Sequence, residues 1–458
     1  MICLAVALAL SATGFGRLAA QGAVSSADAT RYAARRARAY ERLGENLLVV
    51  QSRWSPASAN QPGFDQDATF YYYTGAGRLI GAVLVLDGAT RRAEMFLPSA
   101  RPGTYVGMSQ ADLGADRAAS LRVDAVSEWR ALAPFIERRL ADYPRLTIHV
   151  DDGGAEAASA GRLASPLDSL AVPGNPQVAW HRSLQRRWPN AVIVTDTAIT
   201  ATLRAVKDSS EIAVLRRVAE NSVAAFFAGL PRFGPGRRQR PVEAAVVEAC
   251  TRLGDGPSFW PWVMTGPNAV FPVPFSSALD QHNLDRAMRA GEVARFDLGC
   301  KVDHYKGDVG RTLPVTGMFT PEQREVIDVM VAMYRAGLAV LRDGVEVEAL
   351  LRAGVAEARR LQRSMRTPLG KRAAALLMQP DSLPYWQTHG VGLDHAEPLP
   401  SVLRAGMVLA YEPIFTVGTQ GFYMEDMILV TPTGYEILTE GLPTTAGEIE
   451  RAMRRRQP

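Results

Sequence analysis

Apolar positions along the chain fall into two regimes. From Ala27 to about Leu48 an Arg- and Ala-rich stretch carries its apolar residues at helical spacing. Strand-like runs then occupy Leu79–Leu86, Ala93–Leu97, Leu146–Val150 and Ala191–Thr195, separated by helical pieces such as Val126–Leu140. This alternation predicts a small α/β domain over residues 27–196. A new regime opens near residue 198. Asp208 with Glu211 three positions later is an N-cap signature, and Ile212, Leu215, Val218 and Ala219 continue at helical spacing. Thr320-Pro321-Glu322-Gln323 caps a second helix, while Gly234-Pro235-Gly236 and Gly254-Asp255-Gly256-Pro257 read as loops. The second domain runs over 198–445, and 446–458 form a basic C-terminal tail.

The most informative pattern in that second domain is a repeat. Arg289-Ala290-Gly291 leads through Glu292-Val293-Ala294-Arg295 to Phe296-Asp297, and Arg404-Ala405-Gly406 leads through Met407-Val408-Leu409-Ala410 to Tyr411-Glu412. A second acid follows each, Asp308 eleven residues after Asp297 and Glu425 thirteen after Glu412. Alternation places Val293, Arg295 and Asp297 on one strand face, and Val408, Ala410 and Glu412 on another. If Asp297 pairs with Asp308, the first hairpin turns at Val302-Asp303; if Glu412 pairs with Glu425, the second turns at Gly418-Thr419. Such a duplicated unit builds a four-carboxylate cluster on a pseudo-twofold axis. Buried acids so placed repel one another and lose hydration, so they need a cation.

Length and composition narrow the setting. A chain of 458 residues suggests two or three domains, and 47% hydrophobic with 21% charged residues describes a globular protein. The net charge of +4 is spread thinly, with Arg451, Arg454, Arg455 and Arg456 at one end, and no aromatic-interleaved basic stripe or zinc-finger spacing appears. Nucleic acid is therefore not an expected partner. Cys3, Cys250 and Cys300 form no framework, and nothing in their spacing calls for pairing or metal binding. Met1 to Ala12 is almost wholly apolar and Leu18-Ala19-Ala20-Gln21 offers a small-residue cleavage site, although no Lys or Arg precedes the apolar run. Residues 1–20 are expected to be a signal peptide, and the protein to be periplasmic or extracellular. No later segment reaches eighteen uncharged apolar residues, so no integral membrane span is expected.

Between the two acid hairpins lies Thr388-His389-Gly390-Val391-Gly392-Leu393-Asp394-His395-Ala396-Glu397-Pro398, where glycines let the backbone approach a ligand closely. Four acids and an imidazole make an oxygen-rich site that favours Mn²⁺, with Zn²⁺, Co²⁺ or Fe²⁺ as alternatives. Here the chain resembles the pita-bread metallopeptidases of the aminopeptidase P/prolidase branch. The matching motifs are Phe296-Asp297-Leu298-Gly299, Asp308 with Arg311-Thr312, His389-Gly-x-Gly-Leu, Gly406-Met407-Val408 with Glu412-Pro413, and Glu425-Asp426. Leu203–Ile212 is similar to the opening of that family's catalytic domain, and Asp67-Ala68-Thr69-Phe70-Tyr71-Tyr72-Tyr73-Thr74-Gly75 to its N-terminal domain.

The resemblance implies an α/β (α+β) protein, a small N-terminal α/β domain followed by a pita-bread (creatinase/aminopeptidase-like) catalytic domain with internal pseudo-twofold symmetry. It implies two divalent metal ions: Asp297 chelating one, Asp308 and Glu425 bridging both, His389 and Glu412 binding the other. Glu412 would also accept a proton from the attacking water. The implied substrates are peptides with proline at the second position, and a homo-oligomer is compatible with the family.

Three positions depart from the family pattern. Val273 stands where a His usually follows Gly266-Pro267-Asn268-Ala269. Ala396 stands where a His is usual, with His395 one place early. Tyr423 stands where an Arg is common. His282 and His304 are candidates to replace the lost imidazoles. If His395 lies on a strand it points away from the site unless a bulge re-aims it, in which case it joins Glu412 as a catalytic group. The alternative to an active peptidase is a non-catalytic or differently specific metal-binding protein on the same scaffold.

Overall fold

The computed structural model describes residues 26–54, 64–151, 176–196, 198–270, 285–378 and 386–454. The expected leader and His282 lie outside the described residues. The described residues divide between two compact units, one drawn from Met1–Ser58, Thr69–Val150 and Trp188–Val194, the other from Ala59–Ala68, Asp151–Arg187 and Thr195–Pro458.

The first unit is built on a six-stranded mixed sheet. Its strands are β1 (Leu47–Gln51), β2 (Val83–Asp87), β3 (Arg92–Leu97), β4 (Ala125–Glu128), β5 (Thr147–Asp151) and β6 (Val192–Asp196), in the order β4-β3-β2-β1-β5-β6. Two segments differ from the sequence expectation. The first helix spans Ser26–Leu43 and stops at Gly44, whose φ of 60° lets the chain turn so that Leu47 and Leu48 enter β1. The segment Val126–Leu140 opens as β4, paired with β3, and becomes α-helical only over Leu132–Asp142. Helical periodicity is ambiguous over so few residues, and a free sheet edge decided the matter.

The Tyr-rich segment forms the short helix Ala68–Thr74. Its last carbonyls are satisfied by arginines: Arg35 donates to Tyr72 O at 3.2 Å, Arg36 to Tyr73 O at 2.8 Å and Arg122 to Thr74 O at 2.9 Å. Cations at a helix C-terminus meet both the unpaired carbonyls and the dipole. The Arg-rich pattern near the chain start thus serves packing.

In the second unit both expected caps form complete capping boxes, Asp208 with Glu211 ahead of the Ser209–Gly229 helix and Thr320 with Gln323 ahead of Pro321–Val340. The strands are β7 (Trp262–Thr265), β8 (Val293–Leu298), β9 (Lys301–Val302), β10 (Tyr305–Lys306), β11 (Val309–Pro314), β12 (Trp386–Gly390), β13 (Val408–Val417), β14 (Gln420–Val430) and β15 (Tyr435–Ile437). Seven of them make one sheet, β12-β13-β14-β11-β8-β7 with β15 beside β14, and the recorded pairings are all antiparallel. The hairpins β8–β11 and β13–β14 meet along β11 and β14, so the two repeats share one seam, as pseudo-twofold symmetry requires. Ala446–Arg454 is helical; Ile449 and Met453 are buried while Arg451 and Arg454 stay exposed.

The second hairpin turns where expected, with Val417 opposite Gln420 and Gly418 at φ 63°. The first does not. Asp297 faces Gly310 rather than Asp308, and Val302 faces Tyr305, so the turn is Asp303-His304, both at positive φ (50° and 68°). A two-residue turn with two positive φ values matches the strand twist, and Asp and His tolerate that region better than β-branched Val302 would. The displacement is two residues, so every side chain keeps its face.

Two covalent or ionic ties hold this unit. Cys250 and Cys300 form a disulfide, both fully buried, with Cα atoms 5.1 Å apart and 50 positions apart in sequence. Spacing alone had offered no reason to pair them; the fold supplies it by laying the Arg240–Leu253 helix against the end of β8. Closing a loop of that size removes about 4 kcal/mol of unfolded-state entropy. On the sheet face opposite Gly310, Nη2 of buried Arg311 donates to both carboxylate oxygens of Asp426 at 2.9 and 3.0 Å, and its Nε donates to Pro443 O at 2.6 Å. Asp426 also accepts from Tyr334 and Thr439, each at 2.7 Å. This network stitches β11 to β14. Arg311→Met should therefore lower unfolding free energy by about 3–5 kcal/mol in urea titration, because it strands a buried carboxylate, whereas Arg311→Met with Asp426→Leu should recover most of the loss. A single variant as stable as wild type would show that the pair does not hold the seam.

Candidate metal centre

One sheet face collects the five residues singled out above. Register places Asp297 of β8, Gly310 of β11 and Glu425 of β14 in one cross-strand row. The pairs Tyr411–Asp426 and Ile414–Tyr423 set Glu412 of β13 opposite Glu425, and β12 adds Gln387 opposite Glu412. Strand alternation then brings Asp308, two residues before Gly310, and His389, two beyond Gln387, to the same face. Asp308, His389 and Glu425 offer ligand atoms within 4.8 Å of one another. His389 Nε2 lies 3.8 Å from both Asp308 Oδ2 and Glu412 Oε1.

The electrostatics are those of crowded, buried carboxylates. Burial, then repulsion from Glu425, Asp297 and Glu412, pushes Asp308 well above the usual carboxylate range. Burial followed by Glu425 and Asp297 does the same to Glu412. Glu425 is pushed up to about 8 by burial and then Asp297. Asp297 rises only to about 6, because Arg295 and Tyr423 offset part of its burial. His389 is lowered by burial and so is held neutral, the form that binds metal. Among buried side-chain atoms, Asp297 Oδ1 and Glu425 Oε1 have no hydrogen-bond partner. Stranded carboxylate oxygens in a dry cluster fit a divalent cation, and the O-rich donor set with one imidazole suits it chemically.

Groups around the cluster explain two motifs. Arg204 donates to Asp394 at 2.8 Å and to Glu397 at 2.5 Å, and Lys207 Nζ lies 3.0 Å from Glu397. The Leu203–Ile212 motif thereby pins the segment that follows His389. Gly390 and Glu397 exchange backbone hydrogen bonds at 2.9 and 2.8 Å, which closes residues 391–396 into a loop. His395 therefore lies on no strand, and neither the alternation expectation nor the bulge applies. Its ring centroid sits 5.2 Å from that of Phe259. Burial, then the charges of Lys306 and His389, push its pKa down to about 4, so it is neutral at pH 7. His304 occupies the far turn of the hairpin rather than the acid row.

Sequence reasoning passed over two contributors. Tyr423, noted only as a missing arginine, is fully buried and donates to Glu425 Oε2. The Arg295 guanidinium lies 5.1 Å from the Tyr423 ring centroid, and its charge acts on Asp297 and Glu412. The cation absent at position 423 is thus supplied from β8. The signal was available: Arg295 shares a strand face with Asp297.

Residues 213–432 match the model of metallopeptidase family M24. The Xaa-Pro aminopeptidase of Escherichia coli K12 is 28% identical over 272 residues, spanning 55% of this chain and 60% of that protein. The Xaa-Pro aminopeptidase of Haemophilus influenzae is 24% identical over 424 residues, spanning 85% and 88%. Among solved structures, zinc-substituted E. coli aminopeptidase P in complex with product superposes with a TM-score of 0.70 at 23% identity, covering 95% of this chain and 99% of that one. Pseudomonas aeruginosa aminopeptidase PepP gives 0.70 at 22% identity over 93% and 98%. These two likenesses bear on fold alone, and the fold agrees with the expected pita-bread architecture. The M24 match over residues 213–432, together with these Xaa-Pro aminopeptidase relatives, supports the aminopeptidase P branch of that family.

Proposed function

We propose that this protein is a dinuclear metal-dependent aminopeptidase that hydrolyses the bond between an N-terminal residue and a following proline. The observation that carries the reading is the gathering of four carboxylates and His389 on one sheet face, with Asp297 Oδ1 and Glu425 Oε1 unpartnered. The naming of the E. coli and H. influenzae relatives as Xaa-Pro aminopeptidases supports the substrate class. Asp297, Asp308, His389, Glu412 and Glu425 would hold the ions, and oxygen-rich donors favour Mn²⁺ over Zn²⁺, Co²⁺ or Fe²⁺. Bound divalent ions supply Lewis acidity toward a peptide carbonyl and acidify water.

The protein's own residues do the rest. Burial and the neighbouring acids raise the proton affinity of Glu412, so that, kept ionised by bound cations, it would take a proton from water and return it to the leaving amine. His389 stays neutral as a donor ligand. Neutral His395 donates a hydrogen bond rather than a proton, and serves to orient substrate from the loop that Glu397, Arg204 and Lys207 fix. Proline lacks an N–H, so its recognition must come from shape and from contacts to neighbouring carbonyls.

Export is part of the same reading. The Met1–Ala12 run with Ala19-Ala20 and the Cys250–Cys300 disulfide both support an oxidising compartment.

Manganese-loaded wild type should carry two ions and cleave Xaa-Pro peptides, whereas Asp308→Ala should lose metal. Equal metal content in both would remove Asp308 as a ligand, and wild type that cleaves no peptide with Mn²⁺ or Zn²⁺ would favour a binding protein. His395→Ala should reduce kcat/KM by about 10-fold, the upper worth of one hydrogen bond to substrate. An unchanged value, with Ala396→His raising activity, would show that His395 has no such part. Intact-mass analysis should find a mature start near Gln21, and non-reducing peptide mapping should join the Cys250 and Cys300 peptides. Cytosolic protein retaining Met1 would overturn export.

A further inference from the structure

Behind the acid row runs a second cross-strand row, Arg295 of β8, Thr312 of β11 and Tyr423 of β14. Arg295 pairs with Thr312 in register, and Thr312 Oγ1 accepts the Tyr423 N–H at 2.6 Å while donating to Tyr423 O at 2.9 Å. The Tyr423 ring leans forward over Gly310, where any Cβ would stand 1.7 Å from its Cε1 atom. A missing side chain at Gly310 is therefore what admits the phenol between Asp297 and Glu425. Arg295 closes the back of the ring at 5.1 Å. The hydroxyl so placed donates to Glu425 Oε2, and leaves Glu425 Oε1 without a partner. Asp297 and Glu412 also lie within its reach.

A phenol has one proton to give and it is surrounded by carboxylates. Donating to one oxygen of Glu425 fixes the plane of that carboxylate and directs the other oxygen at the cluster. We propose that Tyr423, seated by Gly310 and backed by Arg295, is a positioning residue that sets the orientation of Glu425 and through it the affinity of the centre for divalent ions. Phenol and guanidinium work together here. The phenol orients one ligand without adding charge, and the guanidinium contributes +1 beside Asp297 and Glu412 from outside the ring. This inference rests on the metal-centre reading, and its test separates the two.

Calorimetric titration of metal-stripped, full-length protein with Mn²⁺ is the decisive measurement. Tyr423→Phe should weaken Mn²⁺ binding by about 10–100-fold, the range for loss of a group that orients a ligand. Gly310→Ala, which drives a methyl into the ring, should weaken it by a separate route. Thr312→Val, which removes only the hydrogen bonds between backbone and hydroxyl, should lower Tm yet keep affinity within about twofold of wild type, inside the scatter of changes that touch no ligand-orienting group. At saturating Mn²⁺, Tyr423→Phe should lower kcat with KM little changed. Mn²⁺ binding by Tyr423→Phe as tight as wild type, or an equal loss in Thr312→Val, would overturn the inference while leaving the metal centre standing. Wild type that binds no Mn²⁺ would overturn the metal reading and the inference with it.

Discussion

Repulsion among four buried carboxylates is the constraint around which the second unit is organised. Asp297, Asp308, Glu412 and Glu425 each lie close to at least one other acid, and burial removes the water that would screen them. A cluster of this kind is stable in only two ways, by taking up protons or by taking up cations. The upward shifts of Asp297 to about 6 and of Glu425 to about 8, from burial and neighbouring acids, express the first as a raised affinity for protons. The unpartnered oxygens mark where the second would act. Such a site stores unfavourable energy in the fold, and the surrounding sheet must be strong enough to hold it.

That strength comes from the reverse side of the same strands. Residues 310 and 425 sit opposite each other on the acid face, while their neighbours Arg311 and Asp426 form a buried ion pair on the other. Charge repulsion above the sheet is thus countered by charge attraction directly below it, across one antiparallel seam. The Cys250–Cys300 disulfide and the pairing of Ser258 Oγ with Cys300 O at 2.7 Å restrain the chain between Asp297 and Asp308. Glu397, held by Arg204 and Lys207, restrains it after His389. These segments of the cluster have anchors outside it, which is how a site can be both repulsive and ordered.

Features written in short-range pattern were legible in the sequence. The Arg-Ala-Gly repeat with its paired acids located the four acids of the cluster and the His-Gly-x-Gly motif located His389, both capping boxes were visible as Asp208/Glu211 and Thr320/Gln323, and the glycine at 418 marked the second turn. What escaped depended on partners distant in sequence. The first hairpin slid by two residues because Asp303 and His304 accept positive φ, a preference weaker than a glycine signal. The disulfide joins residues 50 apart and could be found only once helix and strand were placed together. Residues 125–128 have helical spacing but lie at the edge of a sheet, and tertiary pairing won. His395 looked like part of a strand because nothing local announced that Gly390 and Glu397 would pair and close a loop.

Of the positions that depart from the family pattern, Tyr423 sits beside the cluster and Ala396 in the loop after His389, while the four acids and His389 keep the family's residue types. That distribution has a physical reading. A ligand cannot be replaced without changing the ion's coordination, but a group that orients a ligand can be exchanged for any other that fills the space, balances the charge and makes the hydrogen bond. At position 423 the hydrogen bond to Glu425 comes from a tyrosine on β14, and positive charge reaches the cluster from Arg295 on β8. The two fit together because Gly310 lies between them and leaves room for the ring. Read at one position, the sequence shows only a tyrosine where arginine is common. Register shows a cation two strands away on the face that carries Asp297.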